Sequence, residues 1–154
     1  MKALPSEIKL IDFNILQSHF TFVPSKKKIK PNEIQNLFNG YELDIDFDHR
    51  INKDDTIQVF TKIEVNTIGQ PLAGYQLSIE GVANFTFTES DQLTDAQRKN
   101  LKSFSTVNIL IGYLRNSLAT MTASSPLGQY LLPPVNINDL FAKKVAESQV
   151  LLNK

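Results

Sequence analysis

With 154 residues, 42% of them hydrophobic and 21% charged, the chain has the length of one domain and is too apolar for a disordered segment. Its 16 basic and 16 acidic side chains cancel to a formal charge of zero. That excludes the basic excess with which a nucleic-acid binder neutralises phosphates, and it leaves little pull toward an anionic membrane.

No cysteine is present, hence no disulfide framework, thiol nucleophile or thiolate metal site. Met1 to Ile15 holds no apolar core ahead of a small-residue cleavage site, so no secretory leader is expected. No apolar run reaches the roughly 18 residues of a bilayer span. The expectation is a soluble cytoplasmic protein without membrane insertion.

The first half of the chain reads as strands. In Glu7 to Val23 the apolar parity switches, from Ile11, Phe13 and Ile15 to Phe20 and Phe22, which predicts a bulge near Gln17–Ser18. Pro24 to Asn39, with the run Lys26-Lys27-Lys28, reads as a solvated loop. Asn39-Gly40 is a turn signal, because both residues accept positive φ. From Tyr41 to Ile51 the set Tyr41, Leu43, Ile45, Phe47, His49 and Ile51 alternates with Glu42, Asp44, Asp46, Asp48 and Arg50. A period of two places the first set on a buried sheet face and the second in water. Ile57 to Thr67 repeats the pattern with Ile57, Val59, Ile63 and Val65, and Tyr75 to Phe87 with Tyr75, Leu77, Ile79, Phe85 and Phe87. Short connections between such runs predict an antiparallel meander.

After Phe87 the period changes. Thr94-Asp95-Ala96-Gln97 has the form of a capping box. Val107, Leu110, Ile111, Leu114, Leu118 and Met121 then recur at the spacing of one helix face, with Phe104-Ser105-Thr106 marking a kink or the true start. The helix should stop before Ser124-Ser125-Pro126. Pro126, Pro133 and Pro134 favour an extended path to Asn136. Asn138 is the expected cap of a final helix with Phe141, Val145 and Leu152 on its apolar side. Strands first and helices after predict an α+β domain over residues 1–154, with a four-stranded antiparallel sheet covered by helices on one face.

Asn108-Ile109-Leu110, Tyr113-Leu114-Arg115, Pro134-Val135-Asn136 and Leu140-Phe141 resemble, in order and spacing, segments of the SecB chaperone family. The resemblance implies a four-stranded antiparallel sheet, a long helix, an extended proline-bearing connecting loop and a C-terminal helix. It also implies an ATP-independent chaperone that keeps non-native polypeptides unfolded along apolar grooves, as a dimer of dimers. Implied partners are unfolded clients: preproteins, with the SecA motor as a further partner, or the antitoxin of a toxin–antitoxin–chaperone system. Candidate groove residues are Leu127, Tyr130, Leu132, Leu140 and Phe141, with Phe20, Phe22 and Tyr41 from the sheet. Each of them reads equally as protomer core or subunit interface, since buried and exposed apolar residues look alike in sequence.

Export forms of the family are markedly acidic and present carboxylates to SecA. This chain is neutral, the carboxylate nearest Ser78 is Glu80, and Leu151-Leu152-Asn153-Lys154 carries no polar tail. The stripe Glu42, Asp44, Asp46 and Asp48 reads as a solvated outer face. A chaperone devoted to one antitoxin therefore stands beside the export reading, and a scaffold domain of the same fold without a client stands as a third.

An enzyme needs converging polar groups. His19 and His49 are the two histidines, on different strands, and Asp48 points away from His49. No catalytic residue, metal ligand or cofactor is expected. Asp44, Asp46 and Asp48 lack the glycine and terminal Glu of a calcium loop. The six glycines are scattered and form no phosphate cradle. The Asn84-Phe85-Thr86 glycosylation pattern is idle without a leader.

Overall fold

In the computed structural model the backbone is described for residues 1–54 and 56–152, and the side chains of these as far as residue 149. Four strands, β1 (Ile8–Val23), β2 (Leu43–Ile51), β3 (Ile57–Val65) and β4 (Gly74–Phe87), form one antiparallel sheet in the order β1-β4-β3-β2. The meander β2-β3-β4 follows from the short connections. β1 returns to pair with β4, so β1 and β2 are the two edges. Helices α1 (Ile34–Asn39), α2 (Asp95–Asn100), α3 (Thr106–Thr122) and α4 (Ile137–Leu152) complete the fold.

β3 and β4 bury the side they were expected to bury, whereas on β2, an edge strand, Phe47 is buried, Leu43, Ile45 and His49 are half-buried and Ile51 is exposed. Ile57, Val59, Ile63, Val65, Tyr75, Leu77, Ala83 and Phe85 are fully inaccessible, and against them lie Val107, Leu110, Ile111, Leu114 and Leu118 of α3. Seated on the sheet, the helix stripe shares one core with it. Gly81 lets α3 come this close: a Cβ there would stand 2.8 Å from Leu114 Cδ2 and 3.2 Å from the Phe13 ring. The opposite sheet face carries Asp44, Asp46, Asp48 and Arg50, all exposed, and a side-chain ladder in which Gln58 donates to Asn84 (3.0 Å) and Asn84 to Asp12 (2.7 Å).

β1 breaks register twice, between Leu10 and Asp12 and between Ile15 and Gln17. The parity switch is thus real, and its bulge falls at Leu16 rather than at Gln17–Ser18. The earlier bulge at Ile11 was hidden because Ile11 shares the parity of Phe13 and Ile15. Each extra residue shifts the following side chains to the other face.

Pro24 to Asn39 is more than a loop. A 3₁₀ turn at Pro31–Glu33 leads into α1. The Glu33 carboxylate accepts the Lys30 N–H at 2.8 Å, Pro31 starts the turn, and Ile34, Leu37 and Phe38 pack on the core. Asn39-Gly40 is accordingly the end of a helix. Gly40 keeps an ordinary φ of −85° and donates its N–H to the Asn36 and Leu37 carbonyls, while the Tyr41 N–H donates to the Phe38 carbonyl, closing α1. The real left-handed residue nearby is Asn66 (φ 56°). Its amide donates to the Leu72 and Tyr75 carbonyls and accepts the Leu72 N–H, all within 2.8–2.9 Å, folding the β3–β4 connection over itself.

The Thr94–Gln97 capping box forms, with Thr94 Oγ1 accepting the Gln97 N–H. At the foreseen kink, Leu101–Ser105 takes one π-helical turn, and the Thr106 hydroxyl donates within it to the Lys102 and Ser103 carbonyls. α4 is capped by Asn136, two residues before the predicted Asn138: Asn136 Oδ1 accepts the Asp139 N–H at 3.2 Å. Val145 is 56% exposed and does not lie on a buried side of α4. Leu152 and the end Leu151–Lys154 fall outside the described side chains. Among the described residues no helix is long and apolar enough to cross a membrane.

Candidate functional site

At the β2 edge the sheet does not close against α4, and a groove of about 200 Å³ runs between them. Leu43, Ile45 and Phe47 are the apolar residues of its sheet wall and Val135 and Leu140 those of the facing wall, with Asp44, Asp46, Asn136, Asp139, Lys143, Lys144 and Glu147 lining the rest. The Lys144 ammonium sits 2.5 Å from the Asp46 carboxylate and 5.8 Å from the centre of the Phe47 ring. Beneath the groove, Phe141 is held between Phe47 (centroids 4.6 Å) and Phe104 (4.2 Å, stacked). One aromatic stack therefore docks α4 on both β2 and the π-helical turn.

The extended segment that forms the facing wall is fixed by α3. Arg115 Nε donates to the Leu132 carbonyl at 3.0 Å and Nη2 to the Pro133 carbonyl at 3.3 Å. Further up the segment, the Tyr130 N–H donates to the buried Thr122 hydroxyl at 2.8 Å. The Tyr75 hydroxyl receives the Leu127 N–H and donates to the Gly128 carbonyl, each at 2.8 Å. A proline-rich stretch has few N–H groups of its own, so side chains supply the bonds that hold it.

The structure divides the candidate groove residues. Leu140 lines the groove and Phe141 supports it. Tyr41, Tyr130 and Leu132 are core residues, 8%, 2% and 3% exposed. Tyr41 and Tyr130 pack with Phe38 and Tyr75 at the end of the sheet, and Tyr41 accepts the Tyr75 N–H at 2.9 Å and donates to the Ala73 carbonyl at 3.1 Å. Burial raises the phenol of Tyr41, Tyr75 and Tyr130 above the ordinary range, Tyr130 to about 12. Leu127 and Phe22 are half-buried beside this cluster, and Phe20 lies at its exposed rim, 5.3 Å from Tyr75. Leu131, between two buried neighbours, is the residue the segment turns outward. Sequence reasoning passed over it, as it did the roles of Leu43, Ile45, Phe47, Val135 and Lys144. Their apolar parity was legible, but their position at an open edge depends on strand order.

A second apolar surface surrounds the other edge. Ile11, Ile15, Leu16 and Phe20 of β1 are exposed, with Ile109 and Tyr113 of α3. Phe13 and Tyr113, 5.1 Å apart, join the two elements.

The two histidines lie apart. His49 Nε2 is 2.6 Å from the Lys102 carbonyl, and His19 is 2.6 Å from the Gln17 amide. Among the described residues no three His, Cys, Asp or Glu side chains converge as metal ligands would.

No protein-family model and no curated protein matches the sequence. The fold is similar to that of the Mycobacterium tuberculosis Rv1957 SecB-like chaperone, solved in complex with a ChAD peptide from the Rv1956 HigA1 antitoxin. The TM-score is 0.55 and the identity 13%, over 84% of this chain and 88% of that one. The fold is thus α+β and SecB-like. A protein of unknown function from Streptococcus agalactiae is more loosely similar, at a TM-score of 0.40 and 10% identity over 86% of this chain and all of that one.

Proposed function

We propose that this chain is one SecB-like domain that holds non-native polypeptides unfolded without nucleotide, as a chaperone rather than an enzyme. The observation that carries the reading is the open groove at the β2 edge, walled by Leu43, Ile45, Phe47, Val135 and Leu140. Apolar side chains on both walls, set among the charged Asp44, Asp46, Asp139, Lys143, Lys144 and Glu147, suit broad contact with an apolar segment that does not depend on one side-chain identity. The groove residues proposed are now these five and the exposed Leu131, with Phe20, Phe22 and Leu127 at the far end of the sheet. The apolar surface around Ile15, Leu16, Ile109 and Tyr113 is proposed to join copies of the chain into an oligomer, since surfaces of this kind on lone domains mark interaction sites.

The test is suppression of aggregation of a chemically unfolded protein diluted into the purified chain, with and without ATP. Suppression that is independent of ATP and weakened by Ile45→Ser or Leu140→Ser supports the reading. Unaltered aggregation at molar excess of the chain removes it.

A dedicated antitoxin chaperone is the second reading, favoured by the antitoxin peptide bound to the structural neighbour. Under it, one small partner dominates material co-purified with the chain, and a toxin–antitoxin pair neighbours its gene. Many unrelated unfolded partners in the same material favour the generalist.

A further inference from the structure

A net charge of zero conceals how the fold distributes its charges. β1 and β2 are opposite edges of the sheet, so the connection from Pro24 to Glu42 crosses the whole end of it. That is about 14 Å, three strand spacings. The β3–β4 connection, residues 66–73, lies at the same end. Val23 pairs with Gly74 there and Leu43 with Val65. The Asn66 N–H donates to the Glu42 carbonyl at 2.8 Å, and a Cβ on Gly40 would stand 3.4 Å from Leu72 Cδ1.

The topology thus gathers two features that are far apart in sequence. Lys26, Lys27, Lys28 and Lys30 are exposed, and none of them forms an ion pair among the described residues. The Lys27 N–H donates to the Ser25 hydroxyl at 3.2 Å, which shapes the bend that carries the run. Of the two acids in this connection, Glu33 is turned back onto the Lys30 N–H, and Glu42 stands at the far edge, where β2 begins. Residues 66–73 carry no charge but hold two exposed aliphatic side chains, Ile68 and Leu72. Neither belongs to the groove or to the apolar surface around Ile15 and Tyr113. The acids that balance the lysines lie on the outer sheet face, Asp44, Asp46 and Asp48 among them.

We propose that this end of the sheet docks the protein reversibly on an anionic lipid surface. The lysines meet the headgroups, and Ile68 and Leu72 enter the interface beside them. Each lysine near such a surface strengthens binding about fivefold, or about 1 kcal/mol, and the effect depends on local charge, not on the sum over the chain. Two observations favour lipid over an acidic polypeptide. The cations are all lysines, flexible point charges without the planar fork that fixes a carboxylate. The aliphatic pair flanks Gly69, which has open space around it; such a tip can enter a soft interface but offers a protein partner no pocket. This docking requires no client and stands apart from the holdase reading.

The experiment is co-sedimentation of the full chain with vesicles of phosphatidylcholine, alone or mixed with phosphatidylglycerol. Binding to the mixed vesicles only, released by about 0.5 M salt, is expected. Lys27→Gln with Lys28→Gln should weaken it about thirtyfold. Lys53→Gln with Lys99→Gln, the same loss of charge away from this end, should leave it nearly unchanged. Ile68→Ser with Leu72→Ser should weaken it about tenfold without altering its slope with salt.

Equal binding to both kinds of vesicle, or none to either, overturns the proposal. So does equal weakening by the two lysine pairs, which would make overall charge the cause. Binding unaltered in the aliphatic variant overturns it as well, since the lysines alone would then serve any polyanion. Capture of polyglutamate that needs Lys27 and Lys28, without vesicle binding, makes an acidic polypeptide the occupant and overturns the lipid.

Discussion

The Phe104 and Phe141 rings stack with centroids 4.2 Å apart and 14° between their planes. Phe104 belongs to the π-helical turn and Phe141 to α4, and Phe47 meets the same Phe141 ring from the sheet at 4.6 Å. No other aromatic contact ties α4 to both elements among the described residues, so Phe141, with Ile137 and Leu140 on the core and Lys144 on Asp46, is a principal anchor of α4.

Phe141→Ala should therefore cost about 2–3 kcal/mol. Its effect should be local: amide exchange in α4 quickens while that of β3 and β4 keeps its rank order. Hydrogen exchange by mass spectrometry checks this, and uniform loss of protection through the sheet would contradict it.

Arg115 spans two carbonyls of the connecting segment. Arg115→Ala should lose about 2 kcal/mol, the worth of charge-assisted hydrogen bonds to a partly buried partner. Arg115→Lys should recover only part, because a single ammonium lacks the planar fork that reaches both oxygens. Thermal denaturation of the two variants measures the difference.

Gly74 adopts a φ of +105°, and a Cβ there would collide with the Tyr41 hydroxyl and stand 3.0 Å from Leu127. Gly74→Ala should cost about 3 kcal/mol or more, since it adds backbone strain to a broken Tyr41–Tyr75 bond. Gly69 also has a positive φ but stands in open space, so Gly69→Ala should cost only about 1 kcal/mol. Denaturant midpoints of the pair separate strain from collision.

The buried tyrosines predict a loss of stability in alkali. Burial holds the folded Tyr130 phenol at about 12, with the nearby Tyr41 adding to it, against 10.0 for the ordinary group. A phenol raised in the folded state binds its proton more tightly there than in the unfolded chain. Its contribution is complete below pH 10 and is lost as the pH climbs from 10 toward 12, where the unfolded chain ionises and the folded one does not. Denaturant midpoints across that window should fall, and Tyr130→Phe should flatten the fall.

The sequence by itself determined the elements. Alternation in Tyr41–Ile51, Ile57–Thr67 and Tyr75–Phe87 and the stripe Val107–Met121 specified sheet and helix, because a strand or helix has one period and its apolar face must be buried. The capping box and the kink were equally local. The tertiary structure decided which apolar residues remain accessible. Tyr130, Leu131 and Leu132 are adjacent and chemically alike, yet Leu131 is 65% exposed and its neighbours are buried. That choice is made by Thr122 and Arg115, which fix the segment's backbone from another element. Likewise Leu43 and Ile45 share the alternation of Val59 and Ile63, but β3 lies inside the sheet and β2 at its edge. Strand order is set by long-range pairing that no local period encodes, and so the groove became visible only in the folded chain.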